Sequence, residues 1–256
     1  CQHKDGYDVI EYEPDDKYKV CISSEWIKIG NFGATYAFYD SGVSELVGLD
    51  NNTQIDTVVI PATAKASDGK EYKLTKIGSL ISPIQIPLSE TFGIDFTQAV
   101  NLEIISENAF KSVSNGEPCN SRHFKDREIN FSNTKLTKIG KNAFDGVFHG
   151  WSPFEYHDNI NNIRFPSTIR EVEENAFGGA RNNSAYSMDI QEDIYFTTKD
   201  LNEIAKMKFG NNWLPDYATK RTHHIYVPVG TKAAYEKVLN LDNCQHKKGY
   251  DIVERN

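Results

Sequence analysis

Apolar residues recur along this chain in two interlocking phrases. The first reads Leu-x-x-Ile-x-x-x-Ala-Phe, with Ile or Val also allowed at the first two apolar positions. It occurs as Leu102-Ile105-Ala109-Phe110, Leu136-Ile139-Ala143-Phe144 and Ile169-Val172-Ala176-Phe177. Asn108, Asn142 and Asn175 precede the Ala-Phe pairs, and a degenerate copy opens at Leu74 and Ile77 without an Ala-Phe. The second phrase is a period-two run, often closed by proline. It occurs as Val58-x-Ile60-Pro61, Ile84-x-Ile86-Pro87, Ile129-x-Phe131, Ile163-x-Phe165-Pro166, Ile194-x-Phe196 and Ile225-x-Val227-Pro228. Alternation by two places both apolar side chains on one face of a strand. Proline, lacking an N–H for the ladder, ends it.

One unit therefore reads as a strand, a turn such as Pro166-Ser167-Thr168, a returning Leu-x-x-Ile segment, a tight bend at Asn, and an inward Phe. No unit buries its apolar face alone, so units must stack, and repetition of one such unit is the signature of a solenoid. The strand phrases begin 26, 45, 34, 31 and 31 residues apart, an irregular period that implies inserted loops. Solenoids mostly present binding surfaces, so the default expectation is a recognition or scaffold protein.

The paired phrases resemble the BspA-type leucine-rich repeat proteins, bacterial surface proteins of gut and oral anaerobes. Residues 162–177, from Asn162-Ile163-Arg164-Phe165-Pro166 to Asn175-Ala176-Phe177, resemble a complete family repeat. Val58-Val59-Ile60-Pro61-Ala62-Thr63 with Asp68-Gly69-Lys70 and Leu74-Thr75-Lys76-Ile77-Gly78 resembles the family's entry into its array. Ile225-Tyr226-Val227-Pro228-Val229-Gly230-Thr231, then Ala234-Tyr235 and Ile252-Val253-Glu254, resembles its closing module. The resemblance covers residues 56–256. It departs at 78–100, which lack an Ala-Phe, and at the insertions 111–128 and 145–160. It implies a leucine-rich-repeat-like solenoid of mostly short β-strands with few short helices, without cofactor or metal. It also implies a cell-surface or secreted, adhesin-like protein that binds host matrix or neighbouring-cell proteins.

The two ends of the chain share a segment. Residues 1–11, Cys-Gln-His-Lys-Asp-Gly-Tyr-Asp-Val-Ile-Glu, match residues 244–254, Cys-Gln-His-Lys-Lys-Gly-Tyr-Asp-Ile-Val-Glu. The first dozen residues read as the tail of a preceding module or its duplicate, which implies related modules in tandem. A rival reading makes Cys1 the lipidated first residue of a bacterial lipoprotein, and the copy at Cys244 argues against it. Three zones follow. Residues 1–17 form an acidic linker or tail, with Glu11, Glu13, Asp15 and Asp16. Residues 18–55, with the runs Tyr18–Ile22 and Thr35–Tyr39, are expected to form β-hairpins that cap the array. Residues 56–256 are the irregular array with its C-terminal cap, including a short helix near Lys199–Met207. A better helix spans Lys232–Leu239, where Ala234, Tyr235, Val238 and Leu239 make one apolar stripe.

Composition narrows the function further. A net charge of −8 without a basic run excludes the electrostatics of a nucleic-acid binder. No stretch approaches the apolar length of a membrane span, and the expectation is a monomer. Cys1, Cys21, Cys119 and Cys244 form no C-x-x-C pair. Cys1 and Cys21 are close enough in sequence to bridge, a question of geometry. His223-His224 on a strand would point to opposite faces and not share a metal. Asp50-Asn51-Asn52 lacks the spacing of a calcium loop. No G-x-S-x-G, H-E-x-x-H or Walker loop occurs, so no catalytic residue is assigned.

The binding candidate is the insertion 147–159, where Phe148, Trp151, Phe154 and Tyr156 crowd one loop with His149 and His157. Aromatic side chains with polar tips suit protein interfaces and stack on sugar faces. A second aromatic segment, Asn211–Tyr217, contains Trp213, which is expected to be buried by the terminal helix. The readings that remain are a protein-binding surface module, a glycan-binding surface protein and a structural spacer without its own ligand.

Overall fold

The structure, a computed structural model, describes residues 16–29, 32–49, 57–78, 91–110, 123–124, 128–145, 160–177, 191–214, 222–244 and 249–256. Strands β1 (Cys21–Ile29), β2 (Phe32–Tyr39) and β3 (Val43–Leu49) open the chain. β4 (Thr57–Val59), β5 (Thr63–Lys65), β6 (Glu71–Ile77), β7 (Thr91–Asp95), β8 (Ile104–Ile105) and β9 (His123–Phe124) follow. Next come β10 (Glu128–Asn130), β11 (Lys138–Ile139), β12 (Ile160–Arg164), β13 (Glu171–Val172) and β14 (Gln191–Tyr195). The chain closes with helix α1 (Leu201–Ile204), β15 (Lys208–Phe209), β16 (His223–Pro228), helix α2 (Lys232–Val238) and β17 (Tyr250–Arg255).

Among the described residues these strands form three sheets. One has nine strands, in the order β1-β2-β3-β6-β8-β11-β13-β15, with β5 beside β6. A second runs β10-β12-β14-β16-β17, and a third β4-β7-β9. From β3 to β15 and throughout the other two sheets, neighbours along these paths are parallel, joined by turns of a β-solenoid with few helices. β1, β2 and β3 pair antiparallel, and β3 then joins β6 in parallel.

The repeated phrases become ladders. In-register pairing stacks Ile77, Ile105, Ile139, Val172 and Phe209 in successive turns, and all are buried. Phe110, Phe144 and Phe177 stack nearly face to face, with centroids 5.0 and 5.1 Å apart. Phe96, Phe131, Phe165 and Phe196 form a second column at 4.7, 6.4 and 4.9 Å. Asn108, Asn142 and Asn175 have φ of 57°, 53° and 53°. That left-handed conformation is one Asn tolerates better than most residues. It turns the chain so that the Asn amides donate to the Lys141, Glu174 and Asn211 carbonyls of the next turn at 2.9, 3.1 and 3.0 Å. Successive turns come so close at one corner that a Cβ on Gly140 would lie 2.4 Å from the Glu107 amide nitrogen.

Two features depart from the sequence expectation. The strand that pairs with β4 is β7, with Val58 opposite Ile94, while residues 84–86 lie outside the described residues. With Ile94-x-Phe96 as the phrase, the spacings from Val58 through Ile94, Ile129, Ile163, Ile194 and Ile225 become 36, 35, 34, 31 and 31 residues. A further turn also exists at 204–214. Asn212 takes the left-handed corner at φ 48°, and the Phe177 amide donates to the Trp213 carbonyl as that of Phe144 does to Ala176. The expected helix near Lys199–Met207 is only the single turn of α1, capped by the Asp200 carboxylate. α2 matches its expected stripe, with Tyr235 and Leu239 buried. Cys21 is disulfide-bonded, and Cys244 is a free, buried thiol. No helix among the described residues is long and apolar enough to cross a membrane.

Phe144→Ala is expected to cost about 3–5 kcal/mol through lost contacts and the cavity left behind. Asn142→Ala is expected to cost about 1–2 kcal/mol by forcing a Cβ-bearing residue without a polar side chain into the left-handed corner. Asn142→Gly should largely escape that cost. Urea denaturation of the three variants gives the ranking directly. Burial pushes the Tyr235 phenol up to about 12 from an ordinary 10.0 and also raises Tyr36 and Tyr39, the latter aided by the Glu45 charge. Folded phenols thus hold protons that unfolded ones release, so stability is full below the ordinary value and falls as pH rises through the folded one. The urea midpoint should be lower at about pH 11.5 than at about pH 9, and Tyr235→Phe should reduce the difference.

Candidate functional site

Alternate residues of the five-stranded sheet face away from the core. Ile129, Ile163, Ile194 and Ile225 point inward and are buried, so their strand neighbours point outward. Parallel register lines these up in rows across the strands. One row runs Glu128, Asn162, Asp193, His224, Asp251. The next runs Asn130, Arg164, Tyr195, Tyr226, Val253.

The second row carries an ordered cation–aromatic stack. Tyr195 and Tyr226 stack at 4.9 Å with 20° between ring planes. The Arg164 guanidinium covers Tyr195 at 4.0 Å and is held from the other side by the Glu128 carboxylate. The Arg255 guanidinium sits 5.5 Å from Tyr226 and 6.0 Å from Tyr195. In the first row His224 Nδ1 lies 3.2 Å from Asp193 Oδ1. Burial raises the Tyr226 phenol above its ordinary value, and the Asp193 and Tyr195 charges add to that. The result is a rigid strip of two phenols and two guanidinium groups, fixed before any ligand arrives. Tyr and Arg are, with Trp, the side chains enriched at the energetic centres of protein interfaces.

β10, β12, β14, β16 and β17 are parallel neighbours in one sheet, so their first residues line a single rim. The candidate residues Phe148, Trp151, Phe154 and Tyr156 lie outside the described residues. Their segment rejoins the chain at Ile160, at the head of the strand that carries Arg164.

Other candidates fall elsewhere. Trp213 is fully buried, its indole N–H donating to the Leu239 carbonyl at 2.7 Å at the end of α2. His223 is buried and stacks on Tyr250 at 4.7 Å, so it faces away from His224. A shallow groove of about 400 Å³ on the nine-stranded sheet is lined by Glu107, Lys141, Glu171, Glu173, Glu174 and Lys208, with Val172, Phe209 and Gly210. Much of its charge is spent internally. Lys138 bridges Glu171 and Glu173 at 3.2 and 2.5 Å, and Lys141 pairs with Glu174 at 2.7 Å. Burial opposes the charge of Lys138, but the two glutamates outweigh it and raise its pKa. Among the described residues no group of three His, Cys, Asp or Glu is placed to hold a metal ion.

The Tyr195–Tyr226 pair was not visible as a site in the sequence. The two residues are 31 apart, and only the register of β14 and β16 joins them. The signal available was the position after each inward Ile, which reads Asn130, Arg164, Tyr195, Tyr226.

No protein-family profile matches the chain, and no curated protein matches it. Among solved structures, the chain is similar to a leucine-rich repeat protein from Bacteroides ovatus at 16% identity and a TM-score of 0.42, covering 79% of this chain and 47% of that one. A leucine-rich repeat protein from Bacteroides capillosus gives 15% and 0.33, covering 78% and 97%. The pneumococcal vaccine antigen PcpA gives 12% and 0.39, covering 81% and 51%. The chain thus spans about half the length of the first and third of these. At these scores no property of those proteins is carried over to this chain.

A double-mutant cycle of Tyr195→Ala and Tyr226→Ala should give a coupling of about 0.5–1.5 kcal/mol in urea unfolding, the value of an aromatic pair beyond its area. A coupling near zero would show that the two rings do not act as one platform.

Proposed function

We propose that this chain is a non-enzymatic recognition module of a cell-surface or secreted protein, adhesin-like, that binds a host or neighbouring-cell protein. The observation that carries the reading is the Tyr195–Tyr226 stack, flanked by the Arg164 and Arg255 guanidinium groups, on the outer face of the five-stranded sheet. Rigid aromatic and guanidinium groups lose little entropy on binding. The surface location rests on the resemblance of the repeat phrases to bacterial surface proteins. The loop residues Phe148, Trp151, Phe154 and Tyr156 belong to the same proposed face.

Glycan binding is the second reading. A sugar ring stacks on an open aromatic face. Tyr195 and Tyr226 turn ring faces toward each other and toward Arg164, which leaves edges and hydroxyls outward. The sheet strip thus favours a protein partner, and sugar stacking falls to the loop aromatics.

The test is binding of the chain to host matrix glycoproteins and to free glycans at physiological salt. Saturable protein binding that competing sugars leave intact is expected. Tyr226→Ala with Arg255→Ala should weaken it about tenfold or more while the chain stays folded. Binding to sugars alone, lost in Trp151→Ala, would replace this reading with the glycan one. Silence across both sets would favour a spacer.

A further inference from the structure

The opening edge of the nine-stranded sheet carries exposed apolar residues. Val20, Ile22 and Trp26 are 51%, 51% and 58% exposed. Val20 lies just ahead of β1, Ile22 at a register shift between Cys21 and Ser23, and Trp26 between half-buried Glu25 and Ile27. The Trp26 indole lies against bare backbone, since a Cβ on Gly33 would meet its ring at 2.3 Å. Toward the other end of β2, Tyr18 closes the sheet surface by meeting Tyr39 edge-on at 5.3 Å, over a small buried patch of Ala37, Tyr39 and Val43. Among the described residues β1 is also the terminal strand of its sheet. Exposed apolar residues along an edge strand associate unless something covers them.

The chain's internal duplication indicates what covers it. Eight of the eleven residues 1–11 are identical to residues 244–254, and two of the three changes exchange Val and Ile. In the C-terminal copy, Cys244 and Tyr250 are buried and Ile252 packs on the core. Glu254 accepts from the Gly230 and Lys232 amides at 2.9 and 3.1 Å. Each of these has a sequence counterpart, at Cys1, Tyr7, Val9 and Glu11. The sequence that closes the far end of the array therefore also stands directly ahead of β1. The counterpart of Arg255 is Tyr12, four residues before Asp16. Four residues reach no more than about 14 Å even when fully extended. Two units joined through this segment have to abut.

We propose that Val20, Ile22 and Trp26 dock against the C-terminal end of a second copy of this unit that precedes it in one chain. The contact is heterologous, head to tail, and so continues along a row of units. It is independent of the recognition reading, which uses the other sheet.

The test is a two-copy chain in which residues 244–254 of the first copy serve as residues 1–11 of the second. The two-copy chain should melt about 2–4 °C above the single chain. Trp26→Phe in the second copy should remove a blue-shifted emission component shielded from acrylamide, and in the first copy an exposed one. Trp26→Asp in the second copy should return the melting temperature to the single-chain value. The single chain carrying Trp26→Asp, which should melt as its parent does, shows that the variant folds. Equal quenching of both Trp26 residues, or a melt no different from the single chain, would overturn the proposal. So would a loss of the added stability when Trp26→Asp is placed in the first copy instead.

Discussion

Everything in this solenoid depends on one backbone exchange, the hydrogen bond from each asparagine corner to the carbonyl of the next turn. The Asn108, Asn142 and Asn175 amides each reach one turn ahead, and each sits in the left-handed region that makes the bend sharp enough to do so. The adjoining Phe110, Phe144 and Phe177 amides donate to Ala143, Ala176 and Trp213 in the same sense. This exchange holds the phenylalanine column at about one strand spacing, so rings meet face to face and exclude water. An aromatic column without the corner would have no register, and a corner without the column would have no burial to offset its strained backbone. Stability in such an array is a sum over neighbours, so a damaged corner weakens two interfaces rather than one turn.

The same register governs the surface. Outward side chains of successive turns are forced opposite each other, and each row must resolve its charges locally. On the nine-stranded sheet the solution alternates sign, with Lys138 between Glu171 and Glu173 and Lys76 beside Glu45. On the five-stranded sheet it runs Glu128, Arg164, Tyr195, Tyr226, so an ion pair passes into a cation–aromatic contact and then an aromatic one. The first arrangement consumes its charge. The second leaves phenol edges and the Arg255 guanidinium turned toward solvent.

This also explains how much could be read in advance. The three Ala-Phe phrases were legible because their corner demands Asn, their tight packing demands Ala and their column demands Phe. The turn at 204–214 was hidden because Trp213 stands where Ala stands elsewhere. Its trace was Gly210-Asn211-Asn212, which repeats the pattern of Gly140-Lys141-Asn142. Ile94-Asp95-Phe96 competes with an alternation at 84–86 that looks equally strand-like, since period two alone cannot say which run pairs with Val58. The outward rows were not legible at all. Tyr195 and Tyr226 meet only because β14 and β16 pair without a slip, and that is a property of the assembled sheet.

The exceptional Trp213 follows from its place near the end. Interior turns have a successor whose Ala and Phe fill the space beside them. The turn at 204–214 is followed instead by α2 and the segment after it, where the Asn212 amide donates to the Asn243 carbonyl at 3.2 Å. Trp213 reaches the same layer with its N–H on the Leu239 carbonyl. Tyr235 makes the matching contact from α2, its hydroxyl donating to the Thr198 carbonyl at 3.1 Å. The turn at 204–214 is thus tied to α2 by two aromatic residues whose polar tips satisfy backbone carbonyls. The far end of the array is finished by burying its aromatic residues, whereas the near end leaves Trp26 exposed.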